Sequence, residues 1–443
     1  TITMFSWAAL AYSFKFIWSP IIDNLRLPFS TYGHRKSWLL FSQLMVILSL
    51  IFISYTDPAK TLIFTAIGSV LIAFSSASQD IVIDAYRIES APQNMQGALS
   101  SMYIAGYRIA MLVAGAGSLL LASYLGVDIY NSDVWKTVYL TMAFLMVIGV
   151  LTTIYSPEPN VKRKISLLSF NDQLRFLITF ILAIAIFIFI YSFLSNPFTN
   201  KEPLEKFLYA LMRISFCFIG SGILIYLLIK TNFIKKKAAT IAYFKPVSNF
   251  IERYGKIALL ILLLIGLYRI ADIVMGVVAN IFYLDKGYNV REIATYSKFF
   301  GVFATIVGGI IGGYSAIKIG TLRALFIGAL IAAASNLLFA WLAVSEPNID
   351  ILITVITADN ISSGFAGAAF VVYLSALTSI KFTATQYALF SSLMLLLPKV
   401  LAGYSGTIVD QMGYANFYIF TAIIGIPVLL LIFWIARIAP VKE

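Results

Sequence analysis

The sequence predicts an all-α polytopic membrane protein, and three observations lead to that class. Hydrophobic residues make up 60% of the 443 residues and charged residues only 12%, whereas an ordinary soluble domain has about 25% charged residues. Apolar runs of about 18 residues or more, the length that crosses a bilayer as a helix, recur along the whole chain. These runs do not alternate polar and apolar residues, as the strands of a membrane β-barrel would.

The hydropathy pattern predicts thirteen membrane-spanning helices, and the basic residues predict their orientation. Of the 32 lysines and arginines, 20 fall in the alternate segments that would face the cytoplasm and six in the outer segments, as the positive-inside rule requires. This orientation places residue 1 outside, so we expect one further helix before it and fourteen in the full protein. The predicted helices span residues 3–22, 38–54, 61–86, 96–125, 135–155, 174–194, 207–229, 257–284, 293–317, 323–345, 351–378, 383–409 and 414–436.

The helices divide the chain into two transport halves and an insertion. Residues 1–156 form the N-terminal half with the second to sixth helices, and residues 257–443 form the C-terminal half with six helices. Residues 157–256 form the insertion, which carries the helices 174–194 and 207–229 and a basic cytoplasmic loop. Both inserted helices are almost uniformly apolar, so we expect them to lie at the periphery and face lipid rather than line a polar path.

The stretch from Phe74 to Arg87 carries the densest polar signal inside an apolar helix. Asp80 and Asp84 are four residues apart and therefore share a helix face, with Gln79 beside Asp80 and Arg87 three residues beyond Asp84. A carboxylate within a membrane helix is costly and usually faces the bundle interior, where it takes part in transport. The alternative is a helix-end cluster that meets water near the cytoplasmic surface.

A second polar set lies in the C-terminal half. Arg269 and Asp272 are three residues apart and can pair within one helix, either at a binding site or as a structural ion pair. Asp359 and Asn360 lie on the helix that corresponds, by its order in the half, to the helix of Asp80. Polar groups at matching positions of two repeats predict a shared central cavity. The other basic residues within the helices of the two halves are Lys15, Arg108, Lys298 and Lys399.

Composition argues against several classes of function. His34 is the only histidine and Cys217 the only cysteine, so a metal site has too few such ligands and no intrachain disulfide can form. Residues 403–406 read G-Y-S-G, as in rhomboid-type proteases, but His34, the only candidate base, is predicted on the opposite side of the membrane. We therefore expect a non-enzyme without a metal or cofactor. A channel or a receptor is an alternative, although no selectivity filter is recognisable. Cytoplasmic loops facing anionic lipid, rather than nucleic acid, account for the net charge of +12.

Two short loops between helices resemble a signature of the major facilitator superfamily, G-x-x-x-D-R-x-G-R-R/K. The first loop has extra residues between the aspartate and the glycine, and the second loop is a weaker copy. A tight turn with charges that hold two helix ends together would stabilise one conformation of a rocking bundle. The residues that carry the signature are Asp23, Gly33, Arg35 and Lys36 in the first copy, and Gly320 and Arg323 in the second.

Longer segments resemble a narrower family. Residues 12–23, 76–89, 106–117, 303–313 and 383–393 are similar to segments of the AmpG-like muropeptide permeases of the major facilitator superfamily. This resemblance implies a bundle of two six-helix halves in the bacterial inner membrane. It also implies proton-driven import of N-acetylglucosaminyl-1,6-anhydro-N-acetylmuramyl peptides for peptidoglycan recycling, with the proton gradient as energy source. We expect a monomer surrounded by membrane lipids, without a nucleic-acid partner. The alternative is a transporter of another anionic metabolite, such as acetyl-coenzyme A.

A sugar-peptide substrate suits the polar residues of the predicted cavity. Its hydroxyl and amide groups would bind amides, its carboxylates would bind cations and its sugar faces would stack on tyrosines. The predicted binding residues are Gln79, Tyr107, Arg108, Tyr268, Arg269, Asp272, Lys298, Asn360 and Gln386.

Asp80 is the first candidate for the group that carries the coupled proton. It lies deep in its helix, and Asp84 lies one turn away on the same face. Buried acids of this kind form proton relays in transporters. Asp359 is the rival in the other half, and Arg108, on the next helix, is expected to oppose protonation of Asp80 when it is close and permit it when it is distant.

Overall fold

A computed structural model describes residues 11–27, 30–126, 130–161, 170–194 and 203–438, and its regular secondary structure is helical wherever it describes the chain. Eleven of the described helices are long and apolar enough to cross a membrane. We number the main helices α1 (Ser19–Asn24), α2 (His34–Ser54), α3 (Leu62–Ser90), α4 (Gln93–Tyr124), α5 (Ser132–Tyr155), α6 (Phe170–Phe193), α7 (Pro203–Lys230), α8 (Lys245–Tyr254), α9 (258–285), α10 (Ile293–Lys318), α11 (Thr321–Val344), α12 (Ile349–Leu377), α13 (Thr383–Ala402) and α14 (Ser405–Ile438).

Most predicted boundaries agree with the structure to within a few residues, but the predicted helix 383–409 is interrupted near its end. It ends at Ala402, and α14 begins at Ser405. Within α14 the helical backbone is interrupted at Gly413, whose φ of 75° is a conformation that glycine adopts without strain, and this break agrees with the predicted start of the last helix at residue 414. Residues 3–10 of the first predicted helix lie outside the described residues.

The first helix of the C-terminal half, α9, is not continuous as predicted. It consists of three pieces, Ala258–Leu267, Ile270–Gly276 and Ala279–Asp285. At the first break Arg269 has φ −98° and ψ 11°, outside the range of a regular helix. Such interruptions in membrane helices are tolerated where they border a polar cavity or are buried in protein. This break therefore marks the surroundings of Arg269 as a candidate site.

Helix α10 brings the two halves together through glycines on two of its faces. A Cβ at Gly308 would meet the backbone of Ile361 on α12, within the same half. A Cβ at Gly313 would instead meet the backbone of Gly97 and the hydroxyl of Ser101, both on α4 of the other half. Small residues of this kind allow membrane helices to approach closely. One glycine-rich stretch thus packs α10 both within its half and across the interface.

The insertion is attached to both halves. Helices α6 and α7 form a hairpin, in which the Ser221 hydroxyl donates to the Ala183 carbonyl at 2.9 Å. After the hairpin, the Tyr243 hydroxyl donates to the carbonyl of Ile17 in the N-terminal half at 2.9 Å. Helix α8 then packs on the C-terminal half, where Phe250 contacts Phe390 with ring centroids 5.1 Å apart.

Candidate functional site

Four charged side chains form a buried group between residues 15–17 and α3, which we call the α3 charge cluster: Lys15, Asp80, Asp84 and Arg87. Lys15 Nζ lies 2.5 Å from Asp80 Oδ2 and 3.6 Å from Asp84 Oδ2. Arg87 Nη2 lies 3.7 Å from Asp84 Oδ1. The side chain of Asp80 is 25% exposed, whereas those of Lys15 and Asp84 are 4% and 3% exposed. The cluster therefore balances two positive and two negative charges, and Asp80 is its most accessible carboxylate.

The partner of Asp80 is Lys15. Arg108, which is expected to approach Asp80 in one conformation and to be distant from it in another, is not its partner in this one. The Tyr103 hydroxyl on α4 donates to Asp80 Oδ1 at 3.2 Å, which places Tyr103 at the depth of Asp80. Arg108 lies five residues further along α4, about 7.5 Å along the helix axis. Its charged neighbours are instead Arg269 and Asp359 of the C-terminal half.

Arg87 also connects the α3 charge cluster to the C-terminal half. Its Nη1 donates to Gln96 Oε1 at 3.1 Å and to the Ser375 hydroxyl on α12 at 3.0 Å. The guanidinium lies 5.5 Å from the ring centroid of Tyr103 and 5.4 Å from that of Tyr387 on α13. Cations held over aromatic faces in this way gain additional electrostatic stabilisation. The cluster is thus linked to the contact between the halves.

The second polar group lies around the break in α9. Arg269 Nε lies 3.1 Å from Asp272 Oδ2, and Arg269 Nη2 donates to the Ser363 hydroxyl on α12 at 3.4 Å. Asp359 accepts a long hydrogen bond of 3.4 Å from Ser335. Together with Arg108, this group contains two arginines and two carboxylates contributed by both halves.

The remaining predicted binding residues are distributed over several environments. Asn360 is bonded within its half, since its Oδ1 accepts from Thr305 at 3.0 Å. Gln79 is half-buried next to Asp80, while Tyr107 is 61% exposed and Lys298 is exposed.

Two of the predicted binding residues are engaged in packing. Tyr268 is buried, donates to the carbonyl of Leu325 at 3.2 Å and stacks on Phe370 with centroids 4.4 Å apart. Gln386 is fully buried and accepts from Arg253 of α8 at 3.0 Å. In this conformation both side chains hold helices together, because their polar atoms already have protein partners.

The first signature loop forms a buried ionic network at the predicted cytoplasmic end. Arg35 is completely buried and donates to Asp23 Oδ1 at 2.8 Å and to Glu89 at 2.8 and 3.1 Å. Asp23 also accepts from the Thr385 backbone N–H at 2.8 Å and hydroxyl at 2.7 Å, at the start of α13 in the other half. A carboxylate at a helix N-terminus is favoured by the helix dipole. We call Asp23, Arg35, Glu89 and Thr385 the gate network.

The sequence interpretation missed part of this network. Glu89 lies at the end of the family-like segment 76–89 but has no predicted role, and neither has Glu158. Glu158 accepts from the backbone N–H groups of Arg35 and Lys36 at 2.8 and 3.0 Å. Lys36 Nζ donates to the Ile154 carbonyl at 2.8 Å. An acid at the end of an apolar helix, such as Glu89, was the available signal.

The second copy of the signature repeats the turn, but among the described residues its arginine forms no buried ionic network. Gly320 has φ 89°, close to the φ of 101° at Gly33. Arg323, in contrast, is exposed. Among the described residues, no group of three or more histidines, cysteines or acids is arranged to hold a metal ion.

A helical bundle with charged groups at its centre and a gate network at one end is typical of a transporter. Residues 1–284 match the family model of the Major Facilitator Superfamily. The fold is similar to that of the proton:xylose symporter XylE bound to 6-bromo-6-deoxy-D-glucose, with a TM-score of 0.63 and 11% identity, covering 98% of this chain and 85% of that one. It is also similar to FucP in the outward conformation, with a TM-score of 0.62 and 10% identity, covering 98% and 89% of the two chains. The chain therefore belongs to the major facilitator superfamily, and the predicted fold class is confirmed.

Within the superfamily, the chain is similar to AmpG-type transporters. It is 30% identical over 436 residues to the putative transporter AmpG 4 of Rickettsia conorii, covering 98% of this chain and 87% of the relative. It is 29% identical over 434 residues to the anhydromuropeptide permease of Escherichia coli, covering 98% and 72%. The predicted family is thus confirmed. The eleven membrane-spanning helices and these relatives indicate a multi-pass transporter of the bacterial inner membrane.

Proposed function

We propose that this chain is a proton-coupled secondary active transporter that imports cell-wall-derived anhydromuropeptides for peptidoglycan recycling. The similarity to the anhydromuropeptide permease extends over 98% of the chain and supports this class of substrate. Sugar hydroxyls, amides and peptide carboxylates require both hydrogen-bonding groups and cations, and the central site contains both.

The observation that carries the proposal is the approach of two arginines from opposite halves. Arg269, at the break of α9, extends toward α4, because a Cβ at Gly367 would lie 3.7 Å from both Arg269 Nη1 and Ile104 Cδ1. Arg108 lies one turn beyond Ile104 on α4, and the like charges of the two arginines repel each other. An anionic substrate group placed between them would remove this repulsion and contact both halves at once. Since alternating access occurs around a site between the repeats, a carboxylate at this position would be bound where the two halves move.

The α3 charge cluster supports coupling to protons. Its two cations and two carboxylates are balanced, with Lys15 directly paired to Asp80 at 2.5 Å. A proton on Asp80 would weaken that ion pair and leave an excess positive charge in the cluster. This excess would favour binding of an anionic substrate, so proton and substrate would bind cooperatively. Asp84 would share the charge balance, and Asp359 is the rival proton carrier.

Transport in proteoliposomes tests the role of Asp80. With labelled anhydromuropeptide and an imposed proton gradient, we expect the wild-type protein to accumulate substrate. Asp80→Asn preserves shape and removes the charge, so it should abolish accumulation while retaining exchange of labelled for unlabelled substrate. Asp410→Asn, at an exposed acid, is the matched control and should leave both activities unchanged.

Two outcomes would contradict this assignment. Gradient-driven accumulation by Asp80→Asn at the wild-type level would exclude Asp80 as the essential proton carrier. Accumulation by Asp80→Asn together with its loss in Asp359→Asn would assign the coupled proton to the C-terminal half.

The substrate class is tested by competition and by the arginine pair. Unlabelled anhydromuropeptide should inhibit uptake, whereas acetyl-coenzyme A at the same concentration should not. Arg269→Gln should raise the KM at least tenfold, because a charge-assisted hydrogen bond to substrate contributes about 1.5–3 kcal/mol. Arg323→Gln, at an exposed arginine of the same half, should not change KM. Inhibition by acetyl-coenzyme A alone would overturn the muropeptide assignment.

A further inference from the structure

A cavity of about 610 Å³ lies between the α6–α7 hairpin and the N-terminal half. Its walls are residues 11–18 and α3 on one side, and α6, α7 and residues 234–243 on the other. The side chains that form most of these walls are aromatic or aliphatic, including Phe14, Trp18, Phe74, Phe180 and Phe187. The cavity is separate from the α3 charge cluster and from the arginine pair, none of whose residues line it.

Four polar side chains in the cavity wall already have hydrogen-bond partners. The hydroxyls of Thr179, Ser221 and Tyr243 each donate to a backbone carbonyl, at 2.8, 2.9 and 2.9 Å. The indole N–H of Trp18 donates to the Ser78 hydroxyl at 3.0 Å. Water requires two to four polar partners to occupy a buried site, and an apolar cavity without them stays dry. Hydrocarbon is therefore the chemistry that fits this space.

The cavity is long enough to hold one lipid chain. Phe176 and Tyr191, both on α6, line it and are fifteen residues apart. At 1.5 Å per residue this separation is about 22 Å. One leaflet contributes about half of a hydrocarbon core of roughly 30 Å, which is about 15 Å. An acyl chain that enters at one end can therefore lie within the cavity along its whole leaflet depth.

One end of the cavity carries a basic segment. Ile234 and Ala239 line the cavity, and the lysines between them, Lys235, Lys236 and Lys237, are exposed. Lys235 Nζ binds Asp172 Oδ2 at 3.0 Å, which leaves Lys236 and Lys237 as the lysines available for an external anion. Basic residues beside membrane helices on the cytoplasmic side attract the headgroups of anionic lipids. The positive charge at this end of the cavity thus favours anionic lipids over neutral ones.

We propose that the cavity binds one acyl chain of an anionic phospholipid whose headgroup lies against Lys236 and Lys237. Phosphatidylglycerol has the required chemistry, an apolar chain and a single negative charge. The bound lipid would fill the space between the hairpin and the N-terminal half and so attach the two inserted helices to the transporter. This site goes beyond the proposed transport function and does not depend on the substrate.

Photolabelling of the full-length protein in vesicles tests the cavity. The probe is phosphatidylglycerol with a diazirine in its acyl chain, and labelled peptides are identified by mass spectrometry. A Cβ at Gly222 meets no atom within 4 Å, so Gly222→Trp should fill the cavity without a backbone clash. We expect labelling of α6 and α7 cavity residues in the wild type and at least a tenfold loss in Gly222→Trp. The control Ile223→Trp, at a neighbouring side chain that is 55% exposed, should label as the wild type does.

A second pair of variants tests the headgroup. Lys236→Gln with Lys237→Gln removes two charges and leaves the Lys235–Asp172 ion pair intact. We expect the preference for the phosphatidylglycerol probe over a phosphatidylcholine probe to fall about tenfold or more. Lys256→Gln with Lys318→Gln, at two other exposed lysines, should preserve it.

Three outcomes would overturn the proposal. The first is absence of cavity labelling in the wild type, and the second is equal labelling in wild type and Gly222→Trp. The third is a crosslink from Phe187→p-benzoylphenylalanine to another segment of the polypeptide instead of to lipid, which would identify protein as the occupant. Equal labelling by both lipid probes would refute the role of the lysines.

Discussion

The two halves of the bundle repeat the same backbone turn but hold their charges differently. In the N-terminal half, Gly33 precedes the completely buried Arg35, which binds two buried carboxylates at 2.8 Å each. In the C-terminal half, Gly320 has the same left-handed conformation, but Arg323 is exposed. A repeated turn therefore does not imply a repeated ionic network. Asp23, in the N-terminal half, is the acid that contacts α13 of the C-terminal half.

The central polar groups of the two halves also differ in whether their charges are paired within one half. Lys15 and Asp80 form a direct ion pair of 2.5 Å within the N-terminal half. Around α9, Asp359 accepts a 3.4 Å hydrogen bond from Ser335, and the nearby Arg108 comes from the other half. The N-terminal group is balanced internally, whereas the C-terminal group is completed across the interface. This difference suits a division of roles between proton coupling and substrate binding.

The largest effect on stability is expected from substituting Arg35, the arginine of the first turn. Arg35→Gln would remove the cation that Asp23 and Glu89 share, and breaking a buried ion pair in this way costs about 3–5 kcal/mol. We expect a large fall in the melting temperature of the detergent-solubilised protein and in its yield of monodisperse material. Thermal unfolding followed by fluorescence-detected size-exclusion chromatography measures both.

Arg323→Gln is the matched variant in the C-terminal half. Its side chain is exposed, and exposed charges contribute about 0–1 kcal/mol, so the melting temperature should stay close to that of the wild type. Equal destabilisation by the two substitutions would show that the second loop contains an ionic network as well, and the asymmetry between the halves would be wrong.

Substitutions at two glycines of α10 distinguish packing within the C-terminal half from contact between the two halves. Gly308→Ala would strike the backbone of Ile361 in the same half, so it should lower the melting temperature. The added methyl group of Gly313→Ala would clash with Gly97 and Ser101 of the other half. It should therefore separate the halves at the gate network and lower the melting temperature less than Gly308→Ala does. The reporter is Ala384→Cys, which is 1% exposed beside the gate network, and its rate of labelling by a hydrophilic maleimide should rise several-fold in Gly313→Ala.

The control for this labelling is Gly115→Ala. A Cβ at Gly115 meets no atom within 4 Å, so neither the melting temperature nor the labelling rate should change greatly. If Gly308→Ala and Gly313→Ala changed both quantities to the same extent, the two faces of α10 would not have separate roles.

The sequence predicts the helices well because hydropathy depends on the membrane rather than on tertiary contacts. The positions of interruptions are less predictable, as α9 and the break between Ala402 and Ser405 illustrate. The break at Tyr268 and Arg269 contains neither glycine nor proline, whereas Gly403 at the second break is a residue type common at helix ends. Tertiary packing and the polar surroundings of Arg269 decide where the backbone leaves the helix.

Prediction of the site succeeded where one helix determines the geometry. The spacing of Asp84 and Arg87 correctly predicts their proximity of 3.7 Å, because both residues lie on one face of α3. Pairings between helices depend on the depth of each residue in the membrane and on the rotation of each helix about its axis. The spacing of residues in the sequence gives neither of these. For this reason the sequence did not predict the ion pair between Lys15 and Asp80, although both residues were recognised as charged groups within helices.

The smallest expected effect concerns a tyrosine–aspartate hydrogen bond near the last helix of each half. Tyr130 donates to Asp57 at 2.9 Å in the N-terminal half, and Tyr414 donates to Asp285 at 2.5 Å in the C-terminal half. Asp57 lies in the loop between α2 and α3, where the backbone N–H of Ala59 and then the Tyr130 hydroxyl lower its pKa. The folded protein thus binds the Asp57 proton more weakly than the unfolded chain does.

The sign of the resulting pH dependence follows from that lowered pKa. Asp57 contributes stability above its unfolded pKa of about 3.9, and this contribution is lost as the pH falls through the lower folded pKa. Tyr130→Phe removes one of the hydrogen bonds, so we expect a melting temperature slightly below that of the wild type at pH 6–7. The difference should shrink as the pH falls below about 4, since a protonated Asp57 gains little from Tyr130. Tyr155→Phe, at an exposed tyrosine of α5, should match the wild type at every pH. A difference between Tyr130→Phe and wild type that stayed constant from neutral to acid pH would assign the effect to packing of the tyrosine ring instead of to the charge of Asp57.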